Sequence, residues 1–368
     1  MAFPGWSPSG MAWNRRGRWS GSREGYPDRQ VRRGVHPRTG LWDYSGVTAA
    51  SDLRRSLAGV RGLILDLDGV LVLRNELLPG AVEALAAMDR ARLPYVIGTN
   101  ISMIGRPTLA RDLARGGLAV PADRIVTAAS AAAAVARRRF GDEPIYVMTS
   151  QDALTEFHGL RLLSHDEAAQ PGAVAEAVFV GDAADEFTPR NVQSAFRLIH
   201  GGAAFVAMHK NRWWITPSGI LLDSGAYVAA LEYATERRAL VTGKPSRALF
   251  AEGVRLLSEL ASRAGSSDGV ATTPATDAAT STDVAQATTP ATDAAVRGAA
   301  SLQFDEVAMV GDDMWNDIRG AQKAGLRGVF ARSGKHGDAE VVRAAGERGG
   351  REPDAIAASI GEVVAALT

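Results

Sequence analysis

Two acidic residues, Asp66 and Asp68, stand at the end of the apolar segment 63–67. Gly69 follows and indicates that a strand ends there, so the strand fixes Asp66 while Asp68 lies on a loop. Two neighbouring carboxylates suit a nucleophile and an acid/base, provided that a cation between them lowers their mutual repulsion. The alternative is a pair of aspartates that only caps a loop.

A second acidic cluster, Asp312, Asp313 and Asp317, follows the apolar segment 307–310. Asp313 and Asp317 are four residues apart at the start of a predicted helix, so we expect them to face the same side. Like charges at that spacing repel unless a metal or a helix N-terminus compensates for them. Oxygen ligands without Cys or a nearby His favour Mg²⁺, and the alternative is helix capping with solvated charge.

Two further polar groups also follow apolar segments. Thr99 and Asn100 end the segment that starts at 95, and this turn offers a hydroxyl and backbone N–H groups to a phosphate oxygen. Lys244 follows the segment 239–242, where its ammonium offsets the charge of carboxylates and phosphate. The alternatives are an ordinary turn and a solvated lysine.

The elements that must position these residues alternate between short apolar segments and amphipathic helices. This order predicts a parallel sheet with helices on its faces, and open α/β sheets bind ligands at the carboxyl edge. The predicted strands are 63–67, 95–98, 124–127, 145–148, 177–180, 204–208, 239–242 and 307–310. The predicted helices are 81–92, one that starts at 107, 189–200 with Thr188 as its cap, and one through 249–257.

The middle elements form a second α/β unit inserted into the first. We assign 58–129 and 239–368 to one domain and 130–238 to the inserted domain. Residues 1–57 are rich in Trp, Arg, Gly and Ser without an apolar period, so a disordered extension is predicted. Residues 264–300 repeat the sequence Ala-Thr-Thr-Pro-Ala-Thr-Asp-Ala-Ala and are predicted to form a low-complexity inserted loop.

Composition narrows the class of protein and its partners. The 41 basic and 41 acidic residues cancel, so no net field favours nucleic acid or an anionic membrane. The absence of Cys excludes disulfides, thiolate nucleophiles and Cys-based zinc sites. No apolar run reaches the roughly 18 to 20 residues that cross a bilayer, and no secretory signal is recognisable. We therefore expect a cytoplasmic protein that binds neither nucleic acid nor membrane.

The four polar clusters, in the order Asp-x-Asp, Thr-Asn, Lys and Asp-Asp, resemble the haloacid dehalogenase superfamily. The position of the inserted unit is similar to its large-cap, NagD-type branch. Within that branch, the middle of the chain is most similar to the group of haloacid dehalogenase-like hydrolase domain-containing protein 2 and phospholysine phosphohistidine inorganic pyrophosphate phosphatase. The segments that carry this likeness are 191–198, 208–214, 230–235 and 241–245. The resemblance covers about 58–263 and 301–365.

This resemblance implies a Rossmann-like parallel sheet core with an inserted α/β cap domain of the C2 type. It also implies an Mg²⁺-dependent phosphatase that acts on a small phosphorylated metabolite. Asp66 is then the nucleophile that forms an aspartyl-phosphate, and Asp68 is the acid/base. Asp66, the backbone carbonyl of Asp68 and Asp312 are the expected Mg²⁺ ligands, and Asp313 and Asp317 are expected to assist.

By the same resemblance, Thr99, Asn100 and Lys244 bind the phosphate. The cap is expected to choose the substrate, with His209 and Lys210 as candidate specificity residues, and a homodimer through the cap is left open. Three alternatives remain: a dehalogenase, a phosphomutase, and a catalytically weak binding or scaffold protein. The group of closest resemblance usually has Ser in place of Asp68, so its substrate transfers less safely to this chain.

Overall fold

A computed structural model of the chain describes residues 13–14, 18–19, 50–216, 219–266, 301–334 and 351–368. The strands are β1 Trp13–Asn14, β2 Arg18–Trp19, β3 Gly62–Leu65, β4 Val72–Leu73, β5 Glu76–Leu77, β6 Tyr95–Thr99, β7 Ile125–Thr127, β8 Ile145–Met148, β9 Leu162–Leu163, β10 Ala177–Val180, β11 Ala204–Ala207, β12 Trp213–Thr216, β13 Gly219–Leu222, β14 Leu240–Val241, β15 Val307–Gly311, β16 Arg327–Ala331 and β17 Ala355–Ala357. The helices are α1 Ala50–Ser56, α2 Ala81–Arg90, α3 Arg106–Arg115, α4 Ala128–Phe140, α5 Gln151–Leu154, α6 His165–Ala169, α7 Pro189–His200, α8 Ser224–Thr235, α9 Arg247–Ser266, α10 Gly320–Ala324 and α11 Ile360–Leu367, with a π-helix at Met314–Arg319.

A six-stranded parallel sheet in the order β17-β16-β15-β3-β6-β7 forms the core domain. Its central strand β3 is buried on both faces, as expected when helices cover both sides of a parallel sheet. Leu63 and Leu65 pack on the side of α2 and α11, whereas Ile64 packs on the side of α9. Because neighbouring strands run in the same direction, the ends of β3, β6 and β15 meet at one edge. The predicted α/β core is confirmed.

A second parallel sheet in the order β14-β11-β10-β8-β9 forms the inserted cap. Helices α7 and α8 pack on one face, and the Ala-rich helix α4 packs on the other. Strands β12 and β13 form a separate antiparallel pair between β11 and α8. Within the described ranges, no helix combines the length and apolar character that crossing a bilayer requires.

The predicted boundary at residue 239 is wrong. Strand β14 pairs with β11 through Val206 and Leu240 and through Ala207 and Val241, so it completes the cap sheet instead of resuming the core. The boundary near 129 also falls inside one helix, α4, which packs against both the cap sheet and α9 of the core. A strand of the cap therefore leads directly into the Gly-Lys-Pro segment.

The predicted N-terminal boundary at residue 57 is also wrong. Helix α1 buries Leu53 in the core, and Leu57, directly after the helix, is buried beside it because residues four apart share one helical face. Strands β1 and β2 pair with each other, and the rest of the predicted extension lies outside the described residues. Helix α9 runs three residues into the segment predicted as a loop, and residues 267–300 lie outside the described residues.

Candidate active site

The carboxyl edge of the core sheet gathers three acidic side chains. Asp66 follows β3, Asp312 follows β15, and Asp317 lies on the π-helix after it. All three are buried, and one ligand oxygen from each lies within 4.8 Å of the others. The structure thus brings the two predicted acidic segments together, although they are far apart in the chain.

The ammonium group of Lys244 joins two of these carboxylates. Its Nζ lies 2.7 Å from Asp66 Oδ1 and 2.7 Å from Asp317 Oδ1, and the side chain is 4% exposed. Burial lowers the pKa of Lys244, but the carboxylates of Asp317 and Asp66 raise it by more than burial lowers it. The pKa of Lys244 therefore lies above its ordinary value. Lys244 is therefore a fixed positive charge at the predicted site.

The donor set fits a divalent metal ion. Burial raises the pKa of Asp317, repulsion from Asp66 adds to this rise, and the ammonium of Lys244 opposes it. With all three carboxylates ionised, one ammonium leaves two negative charges uncompensated in a buried cluster. Carboxylate oxygens without His or Cys are the ligands that Mg²⁺ prefers.

The π-helix explains why Asp317 joins the cluster and Asp313 does not. A π-helix is wound more widely than an α-helix, so residues four apart need not share a face. The carboxylate of Asp313 instead caps the helix and accepts the N–H groups of Trp315 and Asn316 at 2.8 and 2.9 Å. Asp317 Oδ2 accepts the Asp313 N–H at 3.1 Å. The structure thus gives Asp313 a capping role and moves Asp317 from the predicted periphery to the cluster.

Asp68 occupies the loop that follows β3. Asp68 is exposed, whereas Asp66 is buried. This agrees with the prediction that the strand fixes Asp66 while Asp68 lies on a loop. Gly69 has a φ of 88° and donates its N–H to Val72 O at 2.6 Å. A left-handed backbone favours Gly at this point, and Asp68 stays exposed two residues after Asp66.

Asn100 binds the backbone of Lys244 through its side chain. Its Nδ2 donates to Lys244 O at 3.0 Å, and its Oδ1 accepts the Lys244 N–H at 2.7 Å. The side-chain amide thus orients the Lys244 backbone, and a phosphate-binding role for Asn100 stays a prediction. Thr99 is buried at the end of β6, where its Oγ1 accepts the Ile101 N–H at 3.3 Å. A phosphate-binding role for Thr99 stays a prediction.

The strand ends of the cap contact the segment after β6. Ser102 Oγ accepts the Asp182 N–H at 2.9 Å, and Ser102 O accepts the Thr149 hydroxyl at 2.6 Å. His209 Nε2 lies 2.8 Å from Ser102 Oγ. Since Asp182, Thr149 and His209 all follow strands of the cap sheet, its carboxyl edge faces that of the core sheet. The candidate site lies where the two edges meet.

His209 is a buried link between cap and core, and its role in specificity stays a prediction. The residue is 3% exposed, and burial lowers its pKa to about 4 although Asp182 opposes this shift. The Asn211 N–H approaches Nδ1 at 3.3 Å, which assigns the proton of the neutral ring to Nε2. Lys210 Nζ lies 2.6 Å from Glu232 Oε2 within the cap, and its role in specificity stays a prediction.

One contact between the domains was missed by sequence reasoning. Asp152 accepts the Gly105 N–H at 2.7 Å and the Thr108 hydroxyl at 2.8 Å. Glu156 accepts the backbone N–H of Arg106 at 2.7 Å and its guanidinium at 2.8 Å. Cap residues therefore cap helix α3 of the core, whose own N-cap residue provides no side-chain bond. The sequence shows that Asp152 and Glu156 are acidic, but it does not show that they contact the start of helix α3.

Family models match both parts of the core. A model described as haloacid dehalogenase-like hydrolase matches residues 63–162, and a related one described as HAD-hydrolase-like matches residues 241–363. Haloacid dehalogenase-like hydrolase domain-containing protein 2 from Bos taurus is 28% identical over 77% of this chain and 87% of its own length. Phospholysine phosphohistidine inorganic pyrophosphate phosphatase from Homo sapiens is 27% identical over 76% of this chain and 86% of its own length.

Solved structures show the same fold. The p-nitrophenyl phosphatase from Archaeoglobus fulgidus has a TM-score of 0.65 and 22% identity, and the match covers 83% of this chain and 99% of that chain. Glycerol phosphate phosphatase from Mycobacterium tuberculosis, solved in complex with magnesium, has a TM-score of 0.61 and 22% identity over 84% of this chain and 77% of that chain. The resemblance drawn from the motifs is thus confirmed for family and fold.

Proposed function

The chain belongs to the haloacid dehalogenase-like hydrolases and is an enzyme of their phosphatase type, and we propose that it is an Mg²⁺-dependent phosphatase that uses Asp66 as its nucleophile. The observation that carries this proposal is the buried cluster of Asp66, Asp312, Asp317 and Lys244 at the carboxyl edge of the core sheet. The cluster combines a fixed nucleophile, a divalent metal site and a permanent positive charge. These are the requirements of phosphoryl transfer, which depends mainly on positioning and charge neutralisation.

In the first step, an oxygen of Asp66 attacks phosphorus and the bond from phosphorus to the leaving oxygen breaks. The Leu67 N–H at 2.8 Å and Lys244 Nζ at 2.7 Å both engage Asp66 Oδ1, and we assign the attack to Oδ2. Asp68 gives its proton to the leaving oxygen, which departs as an alcohol. The product of this step is an aspartyl-phosphate on Asp66 and an ionised Asp68.

In the second step, Asp68 takes a proton from water, and the water oxygen attacks phosphorus. The bond between phosphorus and Asp66 then breaks, which releases inorganic phosphate and restores the Asp66 carboxylate. Asp68 ends protonated and ready for the next cycle. Its exposed position on the loop suits a group that must exchange protons with substrate and water, whereas the buried Asp66 keeps a fixed orientation.

Asp66, Asp312 and the backbone carbonyl of Asp68 would hold Mg²⁺, with Asp317 beside them. The bound ion supplies charge neutralisation for the phosphoryl oxygens and lowers the repulsion between the carboxylates. Lys244 contributes its own positive charge at Asp66 Oδ1, and Asn100 fixes the backbone of Lys244. Thr99 contributes a hydroxyl at the end of β6 for a phosphate oxygen.

The substrate in this proposal is a small phosphorylated metabolite chosen by the cap. Two relatives support this class by their names, since one acts on phospholysine, phosphohistidine and inorganic pyrophosphate and another is a p-nitrophenyl phosphatase. A cytoplasmic location and a homodimer through the cap are parts of the same proposal. The rival reading as a scaffold predicts no Mg²⁺-dependent trapping of beryllofluoride.

The test is hydrolysis of p-nitrophenyl phosphate and a panel of phosphorylated metabolites with Mg²⁺ or with EDTA. We expect turnover by the wild type with Mg²⁺, loss with EDTA, and loss in Asp66→Asn. Asp142→Asn changes an exposed loop carboxylate and serves as the matched control that keeps activity. Inactivity of the wild type across the panel, or equal rates for Asp66→Asn, contradicts the proposal.

A further inference from the structure

A turn after β16, formed by Ser333 and Gly334, lies against the candidate metal site. Neither residue belongs to the four polar clusters of the sequence, and this segment follows a strand that contributes no acidic side chain. Ser333 Oγ donates a hydrogen bond to the Gly69 carbonyl at 2.7 Å. The turn therefore contacts the loop between the nucleophile and β4.

Asp312 lies between two glycines, one from each of these segments. A Cβ on Gly334 would lie 2.1 Å from Asp312 Oδ2, and a Cβ on Gly69 would lie 2.4 Å from Asp312 Cγ. Contacts this short are prohibitive, so each glycine lets the backbone approach the carboxylate directly. Two backbone segments thus fix the position of Asp312, which is 1% exposed.

The same turn completes the restraint on the loop that carries Asp68. The Gly69 N–H donates to Val72 O at 2.6 Å, and the planar trans peptide bond therefore fixes the direction of the Asp68 carbonyl. The next peptide carries the Gly69 carbonyl, which Ser333 holds. Two consecutive peptide planes are thus anchored, one by the loop itself and one by the turn after β16.

We propose that Ser333 and Gly334 are positioning residues of the metal site. Gly334 lets Asp312 take its place, and Ser333 holds the loop that presents the Asp68 carbonyl. This inference rests on the proposed function, because it assumes that Asp312 and the Asp68 carbonyl bind Mg²⁺. Partners that orient metal ligands typically change metal affinity by about 10- to 100-fold when they are removed.

The experiment measures Mg²⁺ affinity by isothermal titration calorimetry in the whole chain without substrate. We expect Ser333→Ala to weaken Mg²⁺ binding by at least about tenfold, Ser333→Thr to restore most of the affinity by returning a hydroxyl, and Gly334→Ala to bind more weakly than Ser333→Ala. Matched controls are Ser359→Ala, whose side chain makes no capping bond, and Gly361→Ala, where a Cβ has its nearest contact at 3.5 Å.

Thermal unfolding of the same proteins without Mg²⁺ separates positioning from general instability. A positioning role predicts that Ser333→Ala unfolds near the wild-type temperature in EDTA yet gains less stability from Mg²⁺. Equal Mg²⁺ affinity of wild type and Ser333→Ala overturns the inference, even if Gly334→Ala fails to fold. Failure of the wild type to bind Mg²⁺ would instead overturn the proposed function, so the two failures are distinguishable.

Discussion

The buried histidine between cap and core makes the stability of this protein depend on pH. His209 faces Ser102, Ser224, Asp182 and Asp223 and is 3% exposed. Burial lowers its pKa from 6.5 to about 4, with partial opposition from Asp182. The unfolded chain therefore takes up a proton below pH 6.5, whereas the folded chain does so only near pH 4. Stability is lost as the pH falls through this window.

The size of the effect follows from the two pKa values. A shift of 2.5 units, from 6.5 to 4, corresponds to a total of about 3 kcal/mol below pH 4. Between pH 7 and pH 5, proton linkage at this one site removes about 2 kcal/mol from the free energy of unfolding. This loss is large enough to measure, because a folded domain is typically stable by only about 5 to 15 kcal/mol.

Urea unfolding at pH 7, 6 and 5 measures this loss. His209→Gln removes the titrating group, so we expect its free energy of unfolding to fall by about 2 kcal/mol less than that of the wild type over this range. His158→Gln removes an exposed imidazole and should keep the wild-type dependence. Parallel pH profiles for wild type and His209→Gln would refute the assignment of a neutral, buried imidazole at the domain junction.

Three further changes test the site and its supports. Lys244→Ala should lower kcat/KM by about 10² to 10³, because the ammonium that neutralises charge at Asp66 is lost, and steady-state kinetics with Mg²⁺ measure it. Asn100→Ala should lower kcat less than Lys244→Ala and leave Mg²⁺ affinity unchanged, because Asn100 acts through the Lys244 backbone; an effect as large as that of Lys244→Ala would indicate direct contact with the phosphate. Asp152→Ala should lower the free energy of unfolding by about 1 kcal/mol, because Gly105 and Thr108 lose their acceptor, whereas Asp142→Ala should not; equal urea midpoints for the two variants would contradict a capping role.

The main strands of both parallel sheets were predictable because they are short apolar segments that are buried on both faces. Residues 145–148, 177–180 and 189–200 have the predicted bounds, and Thr188 caps α7 through its side chain as expected. Strand β14 was assigned to the wrong sheet, because an apolar dipeptide carries no information about which neighbour it pairs with. Helix α1 was missed because two buried leucines are too few to show a helical period.

The site was predictable where residue type sets the chemistry and unpredictable where three-dimensional contacts set it. Asp66 and Asp312 meet as expected, because they follow neighbouring strands of the core sheet. Lys244 also reaches Asp66, but from a strand of the cap sheet and not from the predicted core strand. The sequence analysis expected the same assisting role for Asp313 and Asp317. Their different positions depend on a π-helix, for which the sequence gives no signal. The bonds between Asn100 and the Lys244 backbone were not predicted, because the two residues lie 144 positions apart.

The cap residue His209 illustrates the same limit. A histidine beside Lys210 suggested a positively charged grip on the substrate, but burial keeps the imidazole neutral. Nothing local in the sequence distinguishes a histidine that contacts a ligand from one that joins two domains. The fold decides, because the cap strand before His209 ends opposite Ser102.

The central claim is that Asp66 becomes phosphorylated during turnover. The most direct measurement is acid quenching during hydrolysis of p-nitrophenyl phosphate, followed by mass spectrometry of the peptide that contains Asp66. Asp68→Asn should enrich the aspartyl-phosphate. Its formation persists because p-nitrophenolate leaves without protonation, whereas its hydrolysis slows because the attacking water loses its base. We predict a phosphoryl group on Asp66 in wild type and Asp68→Asn and none in Asp66→Asn. Two results would contradict the account: turnover by wild type and Asp68→Asn with no phosphoryl group on Asp66 in either protein, or a phosphoryl group on another residue.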